Sequence, residues 1–188
     1  MFDDPKLKPL QLAEAFAPGK KDGPAPESEN GFNIEGLAAT PDGRLLIGFR
    51  NPRPGARAVV IPLDNPAEVI DSGTKPVFGA PRQLDLEGRG IRSIEWINNA
   101  YVIVGGAHGE AKDSVIKPPF ALFAWSGNEA DTKPRKMDVK IPDDFAPEAV
   151  FAIPDSSNMM LLSDDGTQKC KGAKNFKSFR ALIVPAPK

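Results

Sequence analysis

Three glutamates sit at related places in apolar runs. They lie in Asn33-Ile34-Glu35-Gly36-Leu37-Ala38, in Ser93-Ile94-Glu95-Trp96-Ile97 and in Pro147-Glu148-Ala149-Val150-Phe151. A carboxylate inside a strand-like run is costly to bury without a partner, so three in matching positions predict one shared polar site. Asn33, Arg50, Arg92 and Arg180 stand at strand ends that can join it as ligand-binding residues, and Asp164 and Asp165 add carboxylates. Two chemistries follow. Glu35, Glu95, Glu148, Asp164 and Asp165 are hard oxygen donors that suit Ca²⁺ or Mg²⁺. With an open position for water, such an ion would support a divalent-cation-dependent hydrolase acting on a phosphoester, ester or lactone. Alternatively, Arg50, Arg92 and Arg180 neutralise the glutamates. The result is then an acidic channel mouth that binds a small polar ligand or a partner's loop.

Other reactive residues are fewer. His108 is the sole histidine, in Gly105-Gly106-Ala107-His108-Gly109-Glu110, which excludes a three-histidine metal site and leaves it as a loop residue or a candidate general base. Ser163-Asp164-Asp165-Gly166-Thr167 is close to a phosphotransfer pattern, but serine stands where the nucleophilic aspartate is required. It reads as a strand end and turn. Pro18-Gly19-Lys20-Lys21 lacks the spacing of a phosphate loop. Cys170 lies between two lysines with no orienting histidine nearby.

Composition narrows the partners. Basic and acidic residues number 24 and 25, which gives no electrostatic case for nucleic acid or an anionic membrane. A single cysteine excludes an internal disulfide framework and a multi-cysteine zinc site. No apolar stretch approaches the length of a membrane span. Met1-Phe2-Asp3-Asp4 opens acidic with no long apolar segment after it, which reads as a cytoplasmic chain if Met1 is the native start.

The elements that must position these residues are short strands. Twenty prolines and 17 glycines suit strands with tight turns, and no stretch has a helical period. Thr40-Pro41-Asp42-Gly43-Arg44 marks a hairpin with Leu45–Arg50 as its return strand, and Ala58–Leu63 is a third strand. A loop then leads to Pro81–Leu86. The same order follows in Ser93–Ile97, a turn at Asn98-Asn99, Tyr101–Gly105 and Phe120–Trp125, and again in Glu148–Ile153, Met159–Leu162 and Arg180–Val184. A Pro-basic-x-apolar stretch, Pro81-Arg82-Gln83-Leu84 or Pro134-Arg135-Lys136-Met137, precedes each later unit as an outer strand, and Lys8–Leu12 reads as the first of these. The pattern predicts an all-β chain. Its architecture is a partial β-propeller of three consecutive four-stranded blade-like units, near 32–79, 80–127 and 128–188. The alternative is a β-sandwich. Residues 1–31 form an outer strand and a Pro/Gly/charged linker. Three blades do not close a ring, so the chain is part of a longer propeller, or a homodimer in which each copy donates Lys8–Leu12 to its partner.

Phe32–Ala38, Leu46–Pro52, Gly90–Glu95 and Leu161–Gly166 resemble a bacterial domain-of-unknown-function family, numbered thirty-six sixteen, over most of the chain from Phe32 to Pro185. That resemblance implies longer chains at the N-terminus and brings no activity. The Glu-Gly-Leu-Ala stretch before the Pro-Asp-Gly turn is also similar to phytase-like esterase propellers, and distantly to calcium-dependent lactonase propellers. That similarity implies glutamates on inner strands around a central divalent ion. Only Glu35, Glu95 and Glu148 match it.

Overall fold

The computed structural model describes residues 1–16, 23–107, 118–165 and 178–188. A turn of 3-10 helix over Lys8–Leu10 and the short helix α1 (Leu12–Ala15) come first. Strands β1 (Asn33–Ala39), β2 (Leu45–Asn51), β3 (Ala58–Leu63) and β4 (Arg82–Leu84) then form one antiparallel sheet in the order β1-β2-β3-β4. Helix α2 (Pro66–Ser72) bridges β3 and β4. Strands β5 (Gly90–Ile97), β6 (Ala100–Gly106), β7 (Ala121–Trp125) and β8 (Arg135–Lys136) repeat the arrangement. Strands β9 (Pro147–Ala152), β10 (Asn158–Ser163) and β11 (Ala181–Pro185) make the third sheet.

The fold is therefore mostly β, in three sheets. The recurring Pro-basic stretches are strands in the first two units, where β4 pairs with β3 and β8 pairs with β7. Four-stranded units are expected, and the third sheet has three strands among the described residues, with β11 at its edge. The expected outer strand at Lys8–Leu12 is also overturned. Leu7 and Leu10 are three residues apart, and the helical turn buries both, together with Leu12, against Phe49, Val59 and Ile61 of the first sheet. Gln11, at a φ of 52°, redirects the chain between the two helical turns. The loop expected after Leu63 contains α2. It starts on Pro66, whose fixed φ suits the first helical turn, and ends at Gly73, whose φ of 64° suits a left-handed cap.

Packing is face to face. Ala38, Leu46, Val60 and Leu84 of the first sheet meet Ile91, Ile94, Ile103 and Phe123 of the second in one core. The other face of the second sheet, with Val102, Val104 and Leu122, packs on Val150, Met159, Leu161 and Val184 of the third. Strand β5 lies between β1 and β9, so the first strands of the three sheets are neighbours.

Glycine sets how closely they approach. A Cβ on Gly36 would stand 2.9 Å from the Ile91 side chain, and one on Gly90 would stand 2.3 Å from the Arg50 carbonyl oxygen. No described helix is long and apolar enough to cross a membrane.

Candidate functional site

A bulge near the start of each first strand builds the site. In β1, Ile34 faces Phe49 and Gly36 faces Gly48, so Glu35 is an extra residue in the ladder. In β5, Ile91 faces Gly105 and Ser93 faces Val104, which leaves Arg92 as the extra residue. In β9, Pro147 faces Ser163 and Ala149 faces Leu162, and the extra residue is Glu148. A bulge leaves one residue out of the pairing and re-aims its side chain. The equivalent residues are thus Glu35, Arg92 and Glu148, each followed by a small residue: Gly36, Ser93 or Ala149.

Arg92 is the centre. Its Nε donates to Glu148 Oε2 at 2.9 Å and lies 2.8 Å from Glu35 Oε2. Its Nη2 donates to Glu148 Oε1, giving a two-pronged pair, and its Nη1 donates to the Ala107 carbonyl at 3.2 Å. Arg92 also lies 6.0 Å over the Phe120 ring. On the far side, Glu35 Oε1 accepts from Arg50 Nη1 at 3.1 Å and from Asn33 Nδ2 at 3.0 Å. Arg50 is an extra residue in β2, between Phe49 opposite Ile34 and Asn51 opposite Asn33. The side chains of Arg92, Glu35 and Glu148 are 12%, 21% and 27% exposed, so water screens these pairs far less than pairs on an open surface. Burial pushes the Glu148 carboxyl upward and the neighbouring Glu35 charge adds to that, while Arg92 pulls it down.

The structure brings Asn33, Glu35, Arg50, Arg92 and Glu148 together. It does not bring Glu95. That residue lies three positions beyond Arg92, opposite Val102 in the ladder, and its side chain makes no hydrogen bond or ion pair with another described residue.

Asp165 and Arg180 form a different cluster. Asp165 Oδ1 lies 2.6 Å from Arg180 Nη2 and accepts from Ser163 Oγ at 2.8 Å, and Arg180 Nη1 reaches Asp144 at 2.8 Å. The Arg180 guanidinium holds the Asp165 carboxyl well below the usual carboxylate range. Asp164 is exposed, and its backbone N–H donates to the Ala146 carbonyl at 2.9 Å. His108 and Cys170 lie outside the described residues.

No group of three or more His, Cys, Asp or Glu side chains that could hold a metal occurs among the described residues. Both Glu148 oxygens and Glu35 Oε1 accept from guanidinium or amide donors, while Glu35 Oε2 is buried in ion-pair contact with Arg92 and makes no hydrogen bond with another described residue, an arrangement that suits an ion-pair network. The role of Arg92 was readable from one signal, the sequence of apolar, charged and small residue in Ile34-Glu35-Gly36, Ile91-Arg92-Ser93 and Pro147-Glu148-Ala149.

These features define an all-β protein of three stacked antiparallel sheets, with a Glu–Arg–Glu network where their first strands meet. The chain belongs to a family described as a protein of unknown function (DUF3616), whose model matches residues 11–158. No curated protein matches it.

Proposed function

We propose that this chain is a binding domain, with three sheets that are consecutive blades of a β-propeller. The meander order within each sheet supports the propeller reading, as does the adjacency of the three first strands. The ligand is a small polar molecule, or a partner's loop, at the mouth formed by Asn33, Glu35, Arg50, Arg92 and Glu148. The observation that carries this is Arg92, which engages both Glu35 and Glu148. Carboxylates held in this way are poor cation ligands and good fixed charges. Two guanidinium and two carboxylate groups balance the mouth, so it suits a zwitterionic or neutral ligand better than an ion of either sign. A divalent-cation hydrolase is the competing proposal, and it needs these carboxylates released.

A thermal-shift series with amino-acid zwitterions tests the binding reading, since a ligand held by the folded form raises the melting temperature. The expected result is a saturable rise with at least one amino acid, lost in Arg92→Met. A rise of equal size in that variant would count against the mouth as the binding site.

A further inference from the structure

A polar cavity, of about 290 Å³, lies at the end of β1 and β5 opposite the Glu–Arg–Glu network. Glu35 and Thr40 are five residues apart, roughly 17 Å along a strand, so this cavity is separate from the charged mouth. Its wall is aromatic. Trp96 and Tyr101 meet edge to face with ring centroids 4.7 Å apart. Asp42, Arg44, Arg82 and Gly127 are also part of the lining.

Two hydrogen-bond donors without a partner among the described residues line the cavity. The Tyr101 ring is mostly buried, while its hydroxyl makes no hydrogen bond with another described residue and is open to the cavity that Tyr101 lines. The Trp96 indole N–H likewise has no partner among the described residues. Both donors reach the cavity and can serve a ligand acceptor. The tyrosine is also held in place by its surroundings. Gly127 has a φ of 79°, and a Cβ there would stand 2.7 Å from the Tyr101 ring.

The rim supplies acceptors and little net charge. The Asp42 carboxylate is 58% exposed and ion-paired to Arg44 at 2.9 Å, while Arg82 pairs with Glu129 at 3.2 Å. Asp42 has its carboxyl pulled down to about 2, first by the hydrogen bond from Arg44, so it is ionised at neutral pH. Because each arginine already has a carboxylate, the cavity offers no unmatched charge for an ion.

We infer that this cavity binds a sugar ring. The ring's C–H face would lie on Trp96, its oxygens would accept from the Tyr101 hydroxyl and the Trp96 indole N–H, and one of its hydroxyls would donate to Asp42. The volume is near the lower end for ligand pockets, roughly 300–1,000 Å³, which suits one ring of a saccharide.

Tryptophan fluorescence tests this directly. Trp125 is fully buried, so Trp96 is the reporter at the cavity. Maltose, cellobiose and N,N′-diacetylchitobiose are the probes, with tetramethylammonium as a cationic control. The expected result is a saturable change with at least one disaccharide, weakened about 3- to 10-fold in Tyr101→Phe, as fits loss of one hydrogen bond. Asp42→Asn should weaken it similarly, and serves alone if Tyr101→Phe does not fold. No saturable change with any of the three sugars would overturn the inference. So would unchanged affinity in the folded variants, or a response to tetramethylammonium alone.

Discussion

Arg92 is the residue on which the account turns, because its guanidinium serves two carboxylates from different sheets. Glu148 reports on that arrangement through pH. Burial raises its folded-state pKa above the ordinary range of a glutamate, against the pull of Arg92. The sign follows from linkage. A carboxyl with a raised folded pKa favours the folded state below the unfolded value, and that contribution is lost as pH rises through the folded pKa. Glu148→Gln lacks this titration. Its melting temperature relative to wild type should therefore rise from about pH 4 to about pH 7. A difference that stays constant across that range would show that burial does not perturb Glu148.

At the scale of elements, the bulges of β1, β5 and β9 place the charges, and glycine at the sheet contacts sets the spacing. Gly90 is the sharpest case, since an added Cβ would meet the Arg50 carbonyl oxygen at 2.3 Å. Gly90→Ala should cost about 1–3 kcal/mol by overpacking, read from urea unfolding. A neutral or stabilising result would mean that β5 can shift away from β2 at no cost. Much of this level was legible in the sequence. The hairpin at Thr40–Arg44, the strands Leu45–Arg50, Ala58–Leu63 and Tyr101–Gly105, and the outer strands before the later units follow from alternation and turn residues. The match of Glu95 with Glu35 and Glu148 did not survive. A bulge inserts one residue and shifts the phase of the strand, so a shared Ile-Glu pair aligned β5 three residues out of step. The loop that contains α2 was missed because its signals, Pro66 and Gly73, are also turn residues.

For the whole molecule, the N-terminal residues act as cover. Leu7, Leu10 and Leu12 close the outer face of the first sheet with Phe49, Val59 and Ile61. This removes the donor strand on which an exchanged homodimer depended. Leu10 is 1% exposed, and Leu10→Ala should cost about 2–5 kcal/mol in urea unfolding. A loss below about 0.5 kcal/mol, the size of a surface change, would mean that these residues are not part of the fold. The outer face of the third sheet has no such cover among the described residues, and Phe151 and Ile183 on it are 37% and 58% exposed.

The central claim is that Arg92 occupies the place between Glu35 and Glu148 that a cation would need. It is tested most directly by thermal unfolding of the full chain with and without CaCl₂, wild type beside Arg92→Met. The account predicts that Ca²⁺ leaves the wild-type melting temperature unchanged. Arg92→Met should lose about 3 kcal/mol, the low end for removing one partner of a buried pair, and Ca²⁺ should recover part of that loss by binding the two freed carboxylates. A calcium-dependent rise in the wild type that Glu148→Gln abolishes would contradict the account and place a cation between Glu35 and Glu148.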